Sequence, residues 1–126
     1  MRAVSLGLCL SGLCGETAFA AEPIQFNREI RPILSDTCFM CHGPDQAKRE
    51  AELRLDTEAG LVGTADAAGV VTPKALDKSK LWARINSTDP DLVMPPPSTG
   101  KTLSAREKAL IQQWIEQGAP YQNHWS

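Results

Sequence analysis

The feature that most constrains this chain is a stretch of five residues, Cys38-Phe39-Met40-Cys41-His42. It places two cysteines three residues apart and a histidine directly after the second. The two other cysteines, Cys9 and Cys14, lie within the first 20 residues of the 126. The chemistry that requires this spacing therefore decides most of what can be inferred about function.

Covalent haem accounts for every residue of this motif that carries chemistry. Two thiols on one helical turn reach the two vinyl groups of a porphyrin and form thioethers. The adjacent His42 is then carried under the iron as its proximal ligand. The spacing therefore predicts one covalent haem c per chain, attached through Cys38 and Cys41.

Three other chemistries use a pair of cysteines at this spacing, and the sequence disfavours each of them. Structural zinc needs four ligands, and only His124 remains to complete the set. A thioredoxin-like redox pair normally follows a strand, and no strand pattern precedes Cys38. A structural disulfide is compatible with an exported protein but leaves His42 unexplained.

The first 20 residues have the pattern of a secretory signal peptide. Arg2 precedes a mostly apolar run that is too short to span a bilayer, and the segment ends in Ala18-Phe19-Ala20. Signal peptidase accepts this small-x-small pattern, so we expect residues 1–20 to be cleaved. Residues 21–126 then form a single haem domain that is periplasmic or otherwise exported, and the motif holds its only two cysteines.

The charge of the chain argues against two classes of partner. The formal net charge is −2, and it stays so after Arg2 and Glu16 leave with the signal. Such a chain has no basic footprint for nucleic acid or for a membrane surface. We therefore expect no nucleic-acid partner and no stable membrane anchor in the mature chain.

A six-coordinate haem iron needs a second axial ligand on the opposite face of the ring, and Met94 is predicted to supply it. Three prolines follow Met94 in "DLVMPPP", and they make a stiff segment that can hold a thioether in one place. Met40 is tethered on the proximal side by the attachment turn and cannot reach round the ring. His124, in the polar stretch "YQNHWS", remains the rival ligand.

Hydrophobic spacing predicts an all-α fold of about four short helices with long loops. The first helix begins near Phe26, with Asn27 as a possible N-cap. Pro32 indicates a kink or a start nearer Glu29. Further along, one or two helical turns are expected after Asp56 or Thr57, and "ALDKSKLWARINS" predicts another short helix.

The last helix has the clearest signals. Ser104 and Glu107 form a capping box, and Gly118 followed by Pro120 ends the helix. We expect Trp114 on this helix to pack against Phe26, which joins the first and last helices.

Four short helices leave a thin core, so a porphyrin wrapped by them would supply much of the apolar contact. We therefore expect fold and cofactor to be inseparable. Arg54, in "LRLDT", either pairs with a haem propionate or is solvated at the surface, and the sequence leaves both arrangements open.

Four blocks in order, "FNREIRPILSDTCFMCHG", "LRLDT", "MPPP" and "LIQQWIEQGAPYQNHW", resemble the planctomycete-type cytochrome c domain. The resemblance runs over residues 24–125 and implies a small cytochrome c-like domain wrapped around one covalent haem. It implies that Cys38 and Cys41 attach the haem and that His42 and Met94 are its axial ligands. Members of that family are usually N-terminal modules of larger exported proteins, so the chain is expected to be free-standing or such a module.

These features together predict a monohaem electron-transfer protein with histidine–methionine ligation. Its partner is expected to be a redox protein or an adjacent domain. The sequence shows no general base, nucleophile or substrate metal site, so we do not expect an enzyme. The alternative is a haem-based sensor or peroxidase-like site, which requires an open sixth position and hence a weak or absent Met94 ligand.

Overall fold

The computed structural model describes residues 22–124 of the chain. The expected signal peptide, residues 1–20, lies outside the described residues and stays a prediction. Within the described residues the regular structure is helical, with no strand beyond one isolated pairing of Gly63 with Ala68. The predicted all-α class is therefore confirmed for this part of the chain.

Over residues 22–124 the fold has four α-helices and three further helical turns. A π-helical turn, Phe26–Ile30, runs directly into α1, Arg31–Thr37. The later helices are α2, Glu58–Leu61, α3, Lys80–Ile85, and α4, Ala105–Glu116. Two 3₁₀ turns, Leu76–Lys78 and Pro97–Thr99, lie between them. None of the helices described over residues 22–124 is long and apolar enough to cross a membrane.

Pro32 is the second residue of α1, and the change from π-helical to α-helical geometry falls directly before it, in keeping with the irregularity that proline predicts. The π-helical turn that precedes it explains why helical spacing already begins at Phe26. The prediction of Asn27 as N-cap is wrong, because Gln25 occupies that position without a side-chain cap. The Asn27 side chain is instead used in contacts with Arg31 and with the C-terminal segment.

Two predicted helix starts are confirmed by their hydrogen bonds. The Thr57 hydroxyl accepts from the Gly60 amide at 3.1 Å at the start of α2. At the start of α4 the Ser104 hydroxyl accepts from the Glu107 amide at 3.1 Å, and the Glu107 carboxylate accepts from the Ser104 amide at 2.9 Å. These local bonds satisfy amides that have no partner within the helix, which is why short patterns predict them.

The predicted contact between the first and last helices is also confirmed. The ring centroids of Phe26 and Trp114 lie 5.4 Å apart, and those of Phe26 and Tyr121 lie 4.8 Å apart. This aromatic group belongs to one hydrophobic core with members from all four helices: Ile24, Phe26, Ile30, Ile33, Leu34, Leu55, Leu61, Val71, Leu81, Ile85, Ile111, Trp114, Ile115 and Ala119.

A buried arginine joins the two ends of the described chain. Arg31 is only 7% exposed, and its Nε donates to the Asn27 side chain at 2.7 Å. Its Nη2 donates to the Gln122 carbonyl at 2.7 Å, and the guanidinium lies 4.9 Å from the centre of the Phe26 ring. We call this polar contact between residues 24–31 and 117–123 the terminal clasp.

Candidate haem-attachment site

The motif forms a single turn at the end of α1. The helix ends at Thr37, and the amides of Cys41 and His42 both donate to the Cys38 carbonyl, at 3.2 and 2.9 Å. Both cysteines are free thiols and partly exposed. The turn therefore brings the two thiols and the imidazole together, as the sequence spacing predicts.

The two thiols have different surroundings. Cys38 packs against the hydrophobic core, and burial raises its pKa, an effect opposed by the hydrogen bond with the Thr37 hydroxyl at 3.3 Å. The neighbouring Cys41 adds a smaller effect in the raising direction. Burial and the neighbouring Cys41 therefore both favour the neutral thiol of Cys38 over the thiolate.

The His42 ring is oriented by a backbone carbonyl. Its Nδ1 lies 3.2 Å from the Glu50 carbonyl oxygen, which accepts a hydrogen bond when Nδ1 carries the proton. In that tautomer the lone pair is on Nε2. Histidines that bind metals commonly have the other ring nitrogen bonded in this way, because the bond sets the ring orientation and raises ligand basicity.

The segment after the motif folds back on it through backbone bonds. The Glu50 amide donates to the Cys41 carbonyl and the Leu55 amide to the His42 carbonyl, both at 2.7 Å. The Arg49 side chain adds a bond to the Gly43 carbonyl at 3.1 Å. We call residues 43–55, which these bonds hold against the motif, the attachment loop.

The carbonyl that orients His42 belongs to a tight turn. Ala51 and Glu52 both have left-handed backbone angles, with φ of 56° and 52°, and the Leu53 amide closes the turn on the Glu50 carbonyl at 3.2 Å. Such angles are unfavourable for residues other than glycine, asparagine and aspartate. The turn keeps these left-handed angles because Glu50 is bonded both to the motif turn and to the His42 ring.

Gly43 is required by the close approach of the chain to itself. A Cβ atom at this position would lie 2.1 Å from the Phe39 carbonyl oxygen. Any side chain would therefore push residue 43 away from the motif turn and disturb His42, its neighbour. The glycine directly after the histidine is the sequence signal of this close approach.

Met94 lies on a separate loop and is half-buried. Its amide donates to the Arg84 carbonyl at the end of α3 at 3.1 Å. The Met94–Pro95 bond is cis, and Pro95 is buried. Beyond the 3₁₀ turn the chain reaches Lys101, whose Nζ donates to the Asp36 carbonyl at 2.5 Å. The segment after Met94 thus runs back to the C-terminal end of α1, where the motif begins.

His124 lies at the opposite end of α1. It is exposed, and the carbonyl of its neighbour Asn123 accepts from the Asn27 side chain. Asn27 belongs to the π-helical turn, whereas Cys38 follows the last residue of α1. Eleven residues of helix rise roughly 16 Å, at about 1.5 Å per residue. The structure therefore groups His124 with the terminal clasp.

Arg54 is engaged in an ion pair with Asp56. Its Nε donates to one oxygen of the carboxylate at 3.0 Å, and its Nη2 donates to the other. The hydrogen bonds from Arg54 lower the pKa of Asp56. The Asp56 carbonyl also accepts from the Tyr121 hydroxyl at 3.1 Å, which connects this pair to the C-terminal segment.

The donor set fits a covalent haem. Two thiols lie on one turn, and an imidazole beside them has its Nδ1 bonded to a carbonyl. Among the described residues no group of three or more histidine, cysteine, aspartate or glutamate side chains could hold a metal ion by itself. Iron carried within a porphyrin needs fewer protein ligands, and the His42 imidazole is a donor of the required kind.

A comparison with known families agrees with this fit. Residues 38–98, about half of the chain, match one family model. The family is planctomycete cytochrome C. The match begins at Cys38 and includes Cys41, His42 and Met94, and it confirms the resemblance seen in the sequence. Cytochrome c domains bind haem, so the match indicates a haem-binding domain. Searches of curated proteins and of solved structures returned no significant match.

Proposed function

We propose that this chain is a monohaem c-type cytochrome that transfers electrons outside the cytoplasm, its domain wrapped around the haem. Cys38 and Cys41 hold the haem, and His42 and Met94 are its axial ligands. The observation that carries the proposal is the single turn that presents both thiols beside an imidazole oriented by the Glu50 carbonyl. That turn opens the segment that matches planctomycete cytochrome C.

When bound, haem supplies a one-electron iron couple. The work of the protein is to keep both axial ligands in place in the two oxidation states. The bond from His42 Nδ1 to the Glu50 carbonyl restrains the orientation of the imidazole and leaves Nε2 to bind the iron. A methionine thioether as second ligand raises the reduction potential, which suits an electron carrier.

Two contacts favour Met94 over His124 as the second ligand. The segment that follows Met94 is bonded to Asp36, two residues before Cys38. The carbonyl next to His124 is bonded to Asn27, at the far end of the first helical segment. The segment that carries Met94 is thus tied to the motif end of α1, whereas ligation by His124 requires the tail to leave the terminal clasp.

In this proposal the chain catalyses no reaction of its own. Its partner is a redox protein or an adjacent domain of a longer exported protein. The match to planctomycete cytochrome C, whose domains are typically exported, supports a place of action outside the cytoplasm. We propose no nucleic-acid partner, in keeping with the net charge of −2.

The first experiment tests attachment. The chain is produced with its own leader in a host that has a cytochrome c maturation system, and the purified protein is extracted with acidified acetone. We expect the red colour to stay with the protein, because thioether bonds survive this treatment. Colour that moves entirely into the acetone, or a colourless protein that binds zinc, would overturn the proposal.

The second experiment tests ligation. The oxidised parent should show the weak absorption band at the red end of the spectrum that comes from sulfur bound to ferric iron. We expect Met94→Ala to abolish this band, to leave the haem attached and to lower the reduction potential. His124→Ala is the matched control and should change neither. Rapid binding of carbon monoxide by the parent, unchanged in Met94→Ala, would instead support a haem sensor with an open sixth position.

A further inference from the structure

We propose that Lys101 is a positioning residue that fastens the Met94 segment to the end of α1. Its ammonium donates to the Asp36 carbonyl at 2.5 Å and lies 3.8 Å from the Asp36 carboxylate. We call this contact the Lys101 latch. It joins residues 65 positions apart in sequence, one just before the attachment motif and one shortly after Met94. The inference rests on the proposed ligation by Met94.

The acceptor is a group that needs a partner from elsewhere in the molecule. Asp36 is the next-to-last residue of α1, and the last carbonyls of a helix have no amide within the helix to bond. The C-terminal end of a helix also carries partial negative charge, which favours a cation there. Lys101 thus supplies a long-range cap to the helix that carries the haem-attachment motif.

The arm between Met94 and Lys101 is stiff, so the position of one affects the other. Prolines occupy positions 95–97, and the 3₁₀ turn Pro97–Thr99 follows. The Thr99 hydroxyl donates to the Pro96 carbonyl at 2.7 Å and accepts from the Lys101 amide at 3.2 Å. Gly100 turns the chain with a left-handed φ of 70°. Proline and these short-range bonds leave little freedom for independent movement.

The two ends of the arm have different anchors. At one end the Met94 amide is bonded to the Arg84 carbonyl, which ties it to α3. At the other end the Lys101 latch ties it to α1. Loss of the latch removes the bond to α1 and leaves the α3 anchor near Met94, so the thioether is held less firmly on the side of the motif. The sixth position should then open more often.

The test uses the haem-loaded protein and cyanide, which binds ferric iron only when the sixth position is open. We expect Lys101→Met to bind cyanide about two- to fivefold faster than the parent, in line with the modest strength of exposed charged contacts. The sulfur-to-iron band should remain, because Met94 is still present. Lys80→Met, which removes an exposed lysine charge from α3, is the control and should match the parent.

A second variant separates the two acceptors of the latch. Asp36→Asn removes the carboxylate but keeps the backbone carbonyl at 2.5 Å. We therefore expect a smaller acceleration than for Lys101→Met. An equal or larger effect of Asp36→Asn would overturn the assignment of the carbonyl as the main acceptor.

Met94→Ala distinguishes failure of the latch from failure of the ligation. If Met94→Ala accelerates cyanide binding and Lys101→Met does not, the latch is wrong and the ligation stands. If neither variant changes the rate of cyanide binding, Met94 is not the ligand and the proposed role of Lys101 is wrong as well. Acceleration by Met94→Ala, by Lys101→Met and, more weakly, by Asp36→Asn supports the proposal.

Discussion

The terminal clasp and the attachment loop are both held by hydrogen bonds, but the bonds differ in kind. In the clasp the partners are mostly side chains, such as the Arg31 guanidinium with the Asn27 amide group. In the attachment loop the main bonds join backbone groups, such as the Glu50 amide with the Cys41 carbonyl. Every residue carries a carbonyl and all but proline carry an amide, so the loop depends much less on residue identity than the clasp does.

This difference between the clasp and the attachment loop predicts where substitutions are tolerated. In the clasp, loss of one side chain leaves buried polar groups without partners. In the attachment loop most side chains can change, because the backbone bonds remain. The exceptions lie in and beside the motif: Cys38, Cys41 and His42 carry the chemistry, and Gly43 has no room for a Cβ atom.

The largest expected effect follows from removing both thiols. Cys38→Ala combined with Cys41→Ala should abolish covalent haem completely. The sequence alone predicts that the whole fold depends on the haem, but α4 packs in a core of buried side chains. We therefore expect the amides of the attachment loop to lose protection from hydrogen exchange before those of α4. Mass spectrometry of deuterium uptake measures this difference. Equal loss in the loop and in α4 would show that the whole fold depends on the haem.

A smaller effect is expected in the clasp. Arg31→Met removes a buried cation together with its bonds to Asn27 and Gln122. We expect the free energy of unfolding of the haem-loaded protein to fall by about 2–3 kcal/mol, the range for hydrogen bonds of buried charged groups. Urea unfolding measures this change.

Arg28→Met is the matched control for the clasp. Arg28 is exposed one turn before Arg31, and its loss should cost less than about 0.5 kcal/mol. Equal free energies of unfolding for Arg31→Met and Arg28→Met would show that the clasp arginine contributes no more stability than an exposed one. The haem spectrum should be unchanged in both, since the clasp lies at the far end of α1 from the motif.

The smallest effect concerns Asp56, beside the attachment loop. Its ordinary pKa is 3.8, and the hydrogen bonds from Arg54 lower the pKa in the folded state. A depressed folded pKa stabilises the fold above the unfolded pKa, and this contribution is lost as the pH falls through the folded value. Asp56→Asn should therefore cost about 0.5 kcal/mol at pH 7, because Arg54 is 40% exposed and solvent screens the pair.

The pH dependence identifies the origin of that cost. The difference between the parent and Asp56→Asn should shrink as the pH falls below about 4. Asp66→Asn, in the exposed loop between Gly63 and Gly69, should differ little from the parent at any pH. A difference at Asp56 that stays constant down to low pH would show that the ion pair with Arg54 is not its cause.

Local patterns predicted the parts of the fold that depend on neighbours in sequence. The Thr57 cap and the Ser104 capping box follow from residues three apart, and both are present. The aromatic contact of Phe26 with Trp114 was also predicted, because each is a large apolar residue on the apolar side of its helix. Asn27 was predicted to cap a helix, but a buried arginine and the C-terminal segment compete for its side chain.

The candidate site likewise has one part that the sequence predicts and another that only the tertiary structure shows. The sequence by itself determined that two thiols and an imidazole lie on one turn, because three residues of spacing match a helical turn. Only the tertiary structure decided that the Glu50 carbonyl orients His42 and that Lys101 bonds Asp36. The first partner is a backbone group that any residue could supply, so residue type carries no signal for it. The second joins positions 65 apart, and folding alone brings them together.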